Sequence, residues 1–445
     1  MASGEYLHIR SVSETHEIIK YKAAINKIDF FKFDSEGKHI KTTSGTMEER
    51  QFKGGYPEEI FQVGSKIVML LCTNTDGNQT YSLWEIEDID KFTKIADISV
   101  DQMRYKNFIY PDIAVSENGK FFAICIGNGA NFFLYNDQLE LIYEKTLIPF
   151  EGDEMPKCKI RQMLVDDNGI IFVEMLFTSV ENKPTMFKSS KSAWLFAVLN
   201  QKDENILTVD LGSAFGVEVL SWELHLADLG GSISLIYDKC DYWMYEGMKN
   251  GHLLYLVINK KTGDIELNKE LEYAMEAEKT NYVGYGFLCQ DVEFKSGKLM
   301  ISGKVVHSDD ATQRLRILEV DSKGVVLEKV NVTPNGSIAE RPSSLTSFTH
   351  NEYYVVPCYT SEEEYEKINK KLPNDEFTKF SDPYRKVSKF FVVYNTVKKE
   401  TKYELLITQN SLYRAQLKAS KNNNSLFMYE VTDDKLAIKV APLVN

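Results

Sequence analysis

The sequence predicts an all-β protein in which about eight similar four-stranded antiparallel units close on themselves as one domain over residues 1–445. Three observations carry this expectation. One strand-and-turn element recurs eight times, its copies lie 37 to 74 residues apart, and aromatic and β-branched residues fill the runs between turns. Seven units with an extra terminal strand pair are the alternative.

The element is a run of apolar residues, then a polar residue that is usually Asn or Asp, then a charged or Gly-bearing turn. Its copies are Phe30 to Asp34, Ser82 to Glu87, Phe132 to Asn136, Trp194 to Asn200, Leu254 to Asn259, Leu315 to Asp321, Phe391 to Asn395 and Phe427 to Thr432. An Asn or Asp at that point opens a hairpin at little cost, because its side chain bonds the backbone two residues on and tolerates left-handed conformations. The turns Ser35-Glu36-Gly37, Lys261-Thr262-Gly263 and Ser322-Lys323-Gly324 supply the glycine.

Further strands fill the intervals. Asp112 to Val115, Phe121 to Gly127, Phe132 to Tyr135 and Leu141 to Leu147 form one meander. Lys159 to Val165, Ile170 to Phe177, Trp194 to Leu199 and Ile206 to Leu211 form the next. The ends leave four strand-like runs before Gly45 and three after Ser411, where eight are needed. One terminal unit is therefore incomplete, or lends its first strand to the last unit, since an unfastened ring exposes sheet edges.

On this period and plan the whole chain resembles the β-propeller superfamily, whose blades are four-stranded meanders. Its loosely patterned hairpins with Asn or Asp turns are similar to those of uncharacterised bacterial propellers, often of the cell envelope. The Gly-His and Trp-Asp signatures of WD40 repeats and the paired glycines of kelch blades are absent. The resemblance is one of architecture and carries no function to any residue.

The charge is −13, from 52 Lys and Arg against 65 Asp and Glu, which argues against nucleic-acid or anionic-membrane partners and suits a basic one. The longest apolar runs, such as Ile67 to Cys72, fall far short of the roughly 20 residues of a membrane helix, so no membrane insertion is expected. The six cysteines stand singly, most of them within apolar runs, and read as buried free thiols. Met1 to His8 show neither a basic n-region nor an apolar h-region. The chain as written reads as cytoplasmic, or as periplasmic, cell-envelope or secreted if a leader has been removed.

No phosphate-binding loop, dinucleotide fingerprint, nucleophile elbow or H-E-x-x-H zinc motif occurs, and the seven histidines form no close pair. No catalytic residue, metal ligand or cofactor is assigned from sequence. The acidic stretches Asn74 to Asn78 and Asp166 to Gly169 miss the alternate-residue spacing of a calcium loop and read as hairpin turns.

Candidate binding residues lie where the repeat swells. Thr360 to Lys389 interrupts the seventh unit, and Ser361 to Leu372 reads as a short helix ended by Pro373, with Tyr365, Ile368 and Leu372 as one apolar stripe. Lys188 and Lys191 belong to a basic loop, Glu181 to Ser192. Tyr282 and Tyr285 belong to a glycine-bearing loop, Tyr273 to Tyr285. Such side chains suit a protein, a glycan or a small anionic ligand. The sequence thus favours a non-enzymatic scaffold for protein–protein contact. A glycan- or small-ligand-binding protein is one alternative, and a hydrolase or lyase with a site assembled from several units is another.

Overall fold

A computed structural model describes residues 5–12, 15–22, 27–34, 38–46, 55–75, 78–88, 91–98, 111–126, 131–147, 157–178, 192–201, 206–215, 224–239, 252–271, 285–307, 310–332, 337–338, 347–361, 387–409, 416–420, 425–431 and 436–442. These residues form eight antiparallel sheets, in which hydrogen-bonded neighbours follow chain order. The first sheet holds β1 (Glu5–Val12), β2 (Thr15–Lys22), β3 (Lys27–Phe33) and β4 (His39–Thr46). The second holds β5 (Gly55–Val63), β6 (Lys66–Thr75), β7 (Asn78–Asp88) and β8 (Lys91–Ile98). The third holds β9 (Asp112–Val115), β10 (Phe121–Ile126), β11 (Asn131–Asn136) and β12 (Leu141–Thr146). The fourth holds β13 (Lys157–Val165), β14 (Ile171–Thr178), β15 (Ser192–Leu199) and β16 (Leu207–Asp210).

The fifth sheet holds β17 (Leu224–Asp228), β18 (Ser232–Lys239), β19 (His252–Asn259) and β20 (Ile265–Glu270). The sixth holds β21 (Tyr285–Lys295), β22 (Lys298–His307), β23 (Asp310–Asp321) and β24 (Val326–Val332). In the seventh, β25 (Ser337–Ile338) and β26 (Phe348–His350) share one edge of β27 (Tyr353–Ser361), which is followed by β28 (Val387–Asn395) and β29 (Glu400–Gln409). The eighth holds β30 (Gln416–Ser420), β31 (Ser425–Val431) and β32 (Leu436–Pro442). This succession of meanders is the blade pattern of β-propellers. The chain divides into two compact units, Met1–Leu220 and Ser221–Asn445.

Within each unit the sheets pack face to face, because their middle strands are apolar on both faces. On β10, Phe122, Ile124 and Ile126 join Phe61, Val68 and Leu70 of the second sheet. The intervening Ala123 and Cys125 join Val173, Met175 and Phe177 of the fourth. Ile19 and Ile28 meet Met69 and Leu71 in the same way, and in the second unit Ile236 and Tyr255 meet Leu299 and Ile301. The fourth strands are different: β4, β12 and β20 are mostly exposed and polar. Cys72, Cys125 and Cys289 are buried free thiols, as the single cysteines led us to expect.

The repeated Asn or Asp performs one task in sheet after sheet. Oδ1 of Asn136 accepts the amides of Gln138 and Glu140 at 3.0 and 2.9 Å, and that of Asp321 accepts Lys323 and Val325 at 2.9 and 2.8 Å. Asn259 holds Lys261 and Thr262, Asn395 holds Val397 and Lys398, and Asp34 holds Lys38. Asp166 does likewise with Asn168 and Ile170, so its acidic stretch is a hairpin turn.

Two sequence expectations shift. Leu211 leaves the strand and opens α1 (Leu211–Phe215), whose buried Leu211 and Phe215 pull the chain inward, Phe215 lying 5.6 Å from the Trp194 ring. The seventh-sheet strands run further into the insertion than read, through Ser361 and from Val387, because Thr360 and Ser361 still pair with Ser388 and Val387. Of the two expectations for the ends, the incomplete terminal unit is the one found: β1 pairs throughout with β2, and the first sheet has four strands and the eighth three among the described residues.

Gly324, with φ +71°, closes the β23–β24 turn against the neighbouring sheet, where an added Cβ falls 2.6 Å from Cδ1 of Tyr255 and 2.7 Å from Lys269. Gly324→Ala combines backbone strain with a clash against a buried ring and is expected to cost about 2–4 kcal/mol, read by urea unfolding. Asn136→Ala removes two turn bonds and should cost about 1–2 kcal/mol. An unchanged midpoint for Gly324→Ala would refute the packing described.

Candidate functional site

The densest set of chemistry-bearing side chains lies in the second unit, where strands from three successive sheets meet. Its members are His225 on β17, Asp291 and Glu293 on β21, Ser302 on β22, Ser347 and Thr349 beside and within β26, and Tyr354 on β27. A β-bulge between Cys289 and Asp291 sets it up, the register stepping from Cys289 opposite Gly303 to Asp291 opposite Ser302. The extra residue places Cys289 and Val292 in one apolar cluster against the fifth sheet. It turns Asp291 and Glu293 to the other face, where their partners are Ser347 and Thr349.

The bonds then run from strand to strand. The Tyr354 hydroxyl donates to Ser302 Oγ at 3.0 Å, and Ser302 and Ser347 share a bond at 3.2 Å. Ser347 bonds Asp291 through its hydroxyl and its amide, and the Val292 amide holds Asp291 Oδ1 at 2.9 Å. Thr349 Oγ1 donates to Glu293 Oε1 at 2.9 Å. His225 Nε2 lies 3.3 Å from the Cys289 carbonyl and so carries the proton of that bond.

Burial sets the electrostatics. It raises the Asp291 carboxyl, against the opposing pull of His225 and of the Ser347 and Val292 bonds. Burial and then the Asp291 charge hold the Tyr354 hydroxyl well above its ordinary value. In the first unit, burial lifts Asp112 to about 6, opposed by Lys159.

Ser, His and Asp together invite comparison with a nucleophilic relay, but the connections differ. A relay needs a serine bonded to the histidine, with the carboxylate orienting the ring from its far side. Here both serines bond to one another and on to Tyr354 and Asp291, while His225 Nε2 is committed to a backbone carbonyl. His225 is 5% exposed and Ser302 and Tyr354 are fully enclosed. The arrangement fastens strands together and offers no reacting group to solvent.

An ion triad joins the sixth and seventh of these sheets. Glu319, buried on β23, binds Lys298 of β22 and Lys399 of the β28–β29 turn. Burial alone raises its carboxyl, but the two ammonium groups outweigh it and leave it lowered. In the first unit, a cleft of about 260 Å³ between β8 and the β11–β12 hairpin is lined by Ile95, Phe133, Tyr135 and Leu139, with Asp97 and Glu144 beside them. No group of three or more His, Cys, Asp or Glu able to hold a metal ion occurs among the described residues.

Of the residues singled out from sequence, Tyr365, Ile368, Leu372, Lys188, Lys191 and Tyr282 lie outside the described residues. Tyr285, read as a loop residue, is the first residue of β21, opposite His307. The polar cluster was missed. Its one sequence signal is a polar residue breaking an apolar run, as His225 does between Leu224 and Leu226.

No protein-family model matches the chain, and no curated protein matches it. Solved structures similar to it include the β-propeller domain of the trilobed protease from Pyrococcus furiosus, at 13% identity and TM-score 0.41, covering 93% of this chain and 99% of that one. Dipeptidyl peptidase 4 of Porphyromonas gingivalis is similar at 10% identity and TM-score 0.49, covering 96% of this chain and 56% of that one. A prolyl endopeptidase gives 9% identity and TM-score 0.49, over 97% of this chain and 55% of its own. The chain therefore spans little more than half the length of either peptidase, and these likenesses assign it no site residue.

The triad fixes a pH response. A lowered carboxyl contributes stability that is complete above its unfolded value, about 4.3, and is lost as pH falls through the lower folded value. Glu319→Gln is expected to destabilise the protein at about pH 7 by about 1–3 kcal/mol and to flatten its acid-side loss of stability. Thermal unfolding followed across the acid range reads both; equal melting of variant and wild type at neutral pH would refute it.

Proposed function

We propose that the chain is a closed β-propeller of eight blades that acts as a rigid, non-enzymatic scaffold for protein–protein contact. The observation that supports this reading is that the one convergent Ser/His/Asp/Tyr set among the described residues fastens sheets and is enclosed. A hydrolase or lyase assembled from several blades needs such groups facing a substrate. A scaffold needs only a stiff frame and variable loops, and the sequence spacing of Tyr365, Ile368 and Leu372 suits an apolar stripe for a partner. The acidic balance of −13 favours a partner with a basic surface over nucleic acid. The alternative of a small ligand is favoured by the cleft beside Phe133 and Tyr135, which is smaller than the usual ligand pocket.

The test replaces residues 362–386 by a short Gly-Ser linker between Ser361 and Val387. The variant should fold with the wild-type melting temperature and lose, by tenfold or more, the affinity for proteins that the full chain captures. Turnover of peptide, ester or polysaccharide substrates by the wild type, abolished in Ser347→Ala or His225→Ala variants that still fold, would overturn the scaffold reading.

A further inference from the structure

Oδ2 of Asp291 is closed off from solvent and has no hydrogen-bond partner. The donors around the group are already in use. The Val292 amide serves Oδ1, and the Tyr354 hydroxyl is turned to Ser302. Ser347 already gives both its hydroxyl and its amide to the carboxyl group. A second carboxylate stands two residues along the strand, where Glu293 takes Thr349 on Oε1 and has its Oε2 enclosed. The other titratable groups facing Asp291 are His225 from β17 and Tyr354 from β27. The cation on the same strand is Lys295, its Nζ 3.5 Å from the Thr349 carbonyl.

An ionised carboxylate in that position holds charge on an oxygen that nothing solvates, close to a second carboxylate. A protonated one needs no such solvation. We propose that Asp291 keeps a proton at neutral pH and that its ionisation puts an unsolvated charge into a clasp joining the fifth, sixth and seventh sheets, so that the seam loosens as pH rises. His225 opposes the proposal where it is charged, and its bond to the Cys289 carbonyl is one that a neutral ring also makes.

The sign follows from linkage. The folded state holds this proton to a higher pH than the unfolded chain, whose aspartates titrate near about 3.9. The contribution is complete below that value and is lost as pH rises through the folded one. The burial that raises Asp291 acts in this direction.

Two measurements on the full chain test the clasp. Asp291→Asn, a neutral isostere, should melt at or above the wild type at about pH 8 and lose the decline in melting temperature that the wild type shows between about pH 5 and about pH 9. Wild-type unfolding at about pH 7, in buffers of different ionisation enthalpy, should release protons that unfolding of the Asp291→Asn variant does not, the histidines contributing alike to both. A folded Asn variant that melts well below the wild type at about pH 8, or wild-type unfolding that releases no more protons than the variant's, overturns the proposal. Either result would mean that an ionised Asp291 paired with His225 holds the seam.

Discussion

Burial on both faces of middle strands such as β6 and β10 is the constraint on which the architecture depends. A sheet with one wet face alternates apolar and polar residues, whereas Phe122 to Ile126 is enclosed at every position, the odd and even residues serving different neighbours. The second and third sheets thus each supply the covering face of two others. Removing the third exposes Phe61 and Leu70 of the second sheet on one side and Val173 and Phe177 of the fourth on the other. At about 1.5–3 kcal/mol for each large side chain buried, the energy at a single junction exceeds the whole stability of an ordinary domain. Cooperation between successive sheets is built into the strand sequences.

That constraint explains how the fold was legible. Runs apolar at every position mark strands covered twice, and the residue that ends such a run has to turn the chain at once. Asn136, Asn259, Asp321 and Asn395 do so with bonds reaching two to four residues, which a local reading sees. Where local and tertiary forces compete, the reading slipped. Leu211 looks like the end of a strand, yet burial of Leu211 and Phe215 beside Trp194 bends the chain into a helical turn.

The polar cluster was illegible for the opposite reason. His225 meets Cys289 across 64 residues, Tyr354 meets Ser302 across 52, and Ser302 meets Ser347 across 45. None of these residues sits in a motif. The face that Asp291 occupies is decided by a one-residue bulge, and a period-two reading of β21 places Asp291 on the side of Cys289. A reading that counts spacing along the chain has no access to a site whose geometry hangs on that extra residue.

Similar sheets with similar faces raise a question of order, since an apolar face accepts any neighbour of suitable shape. Polar bonds at the junctions differ from one to the next. The third and fourth sheets are joined by Tyr143 on the Leu199 carbonyl and the Asn118 amide on Asp167, the fifth and sixth by Tyr255 on the Ser322 carbonyl. The sixth and seventh are joined by Tyr354 on Ser302, Thr349 on Glu293 and Lys399 on Glu319. A mispaired sheet would leave such groups enclosed without partners, at about 1–3 kcal/mol each. These bonds add little net energy beside the apolar faces, but they penalise the wrong neighbour, and this accounts for polar groups standing in a core that apolar residues would fill with less desolvation.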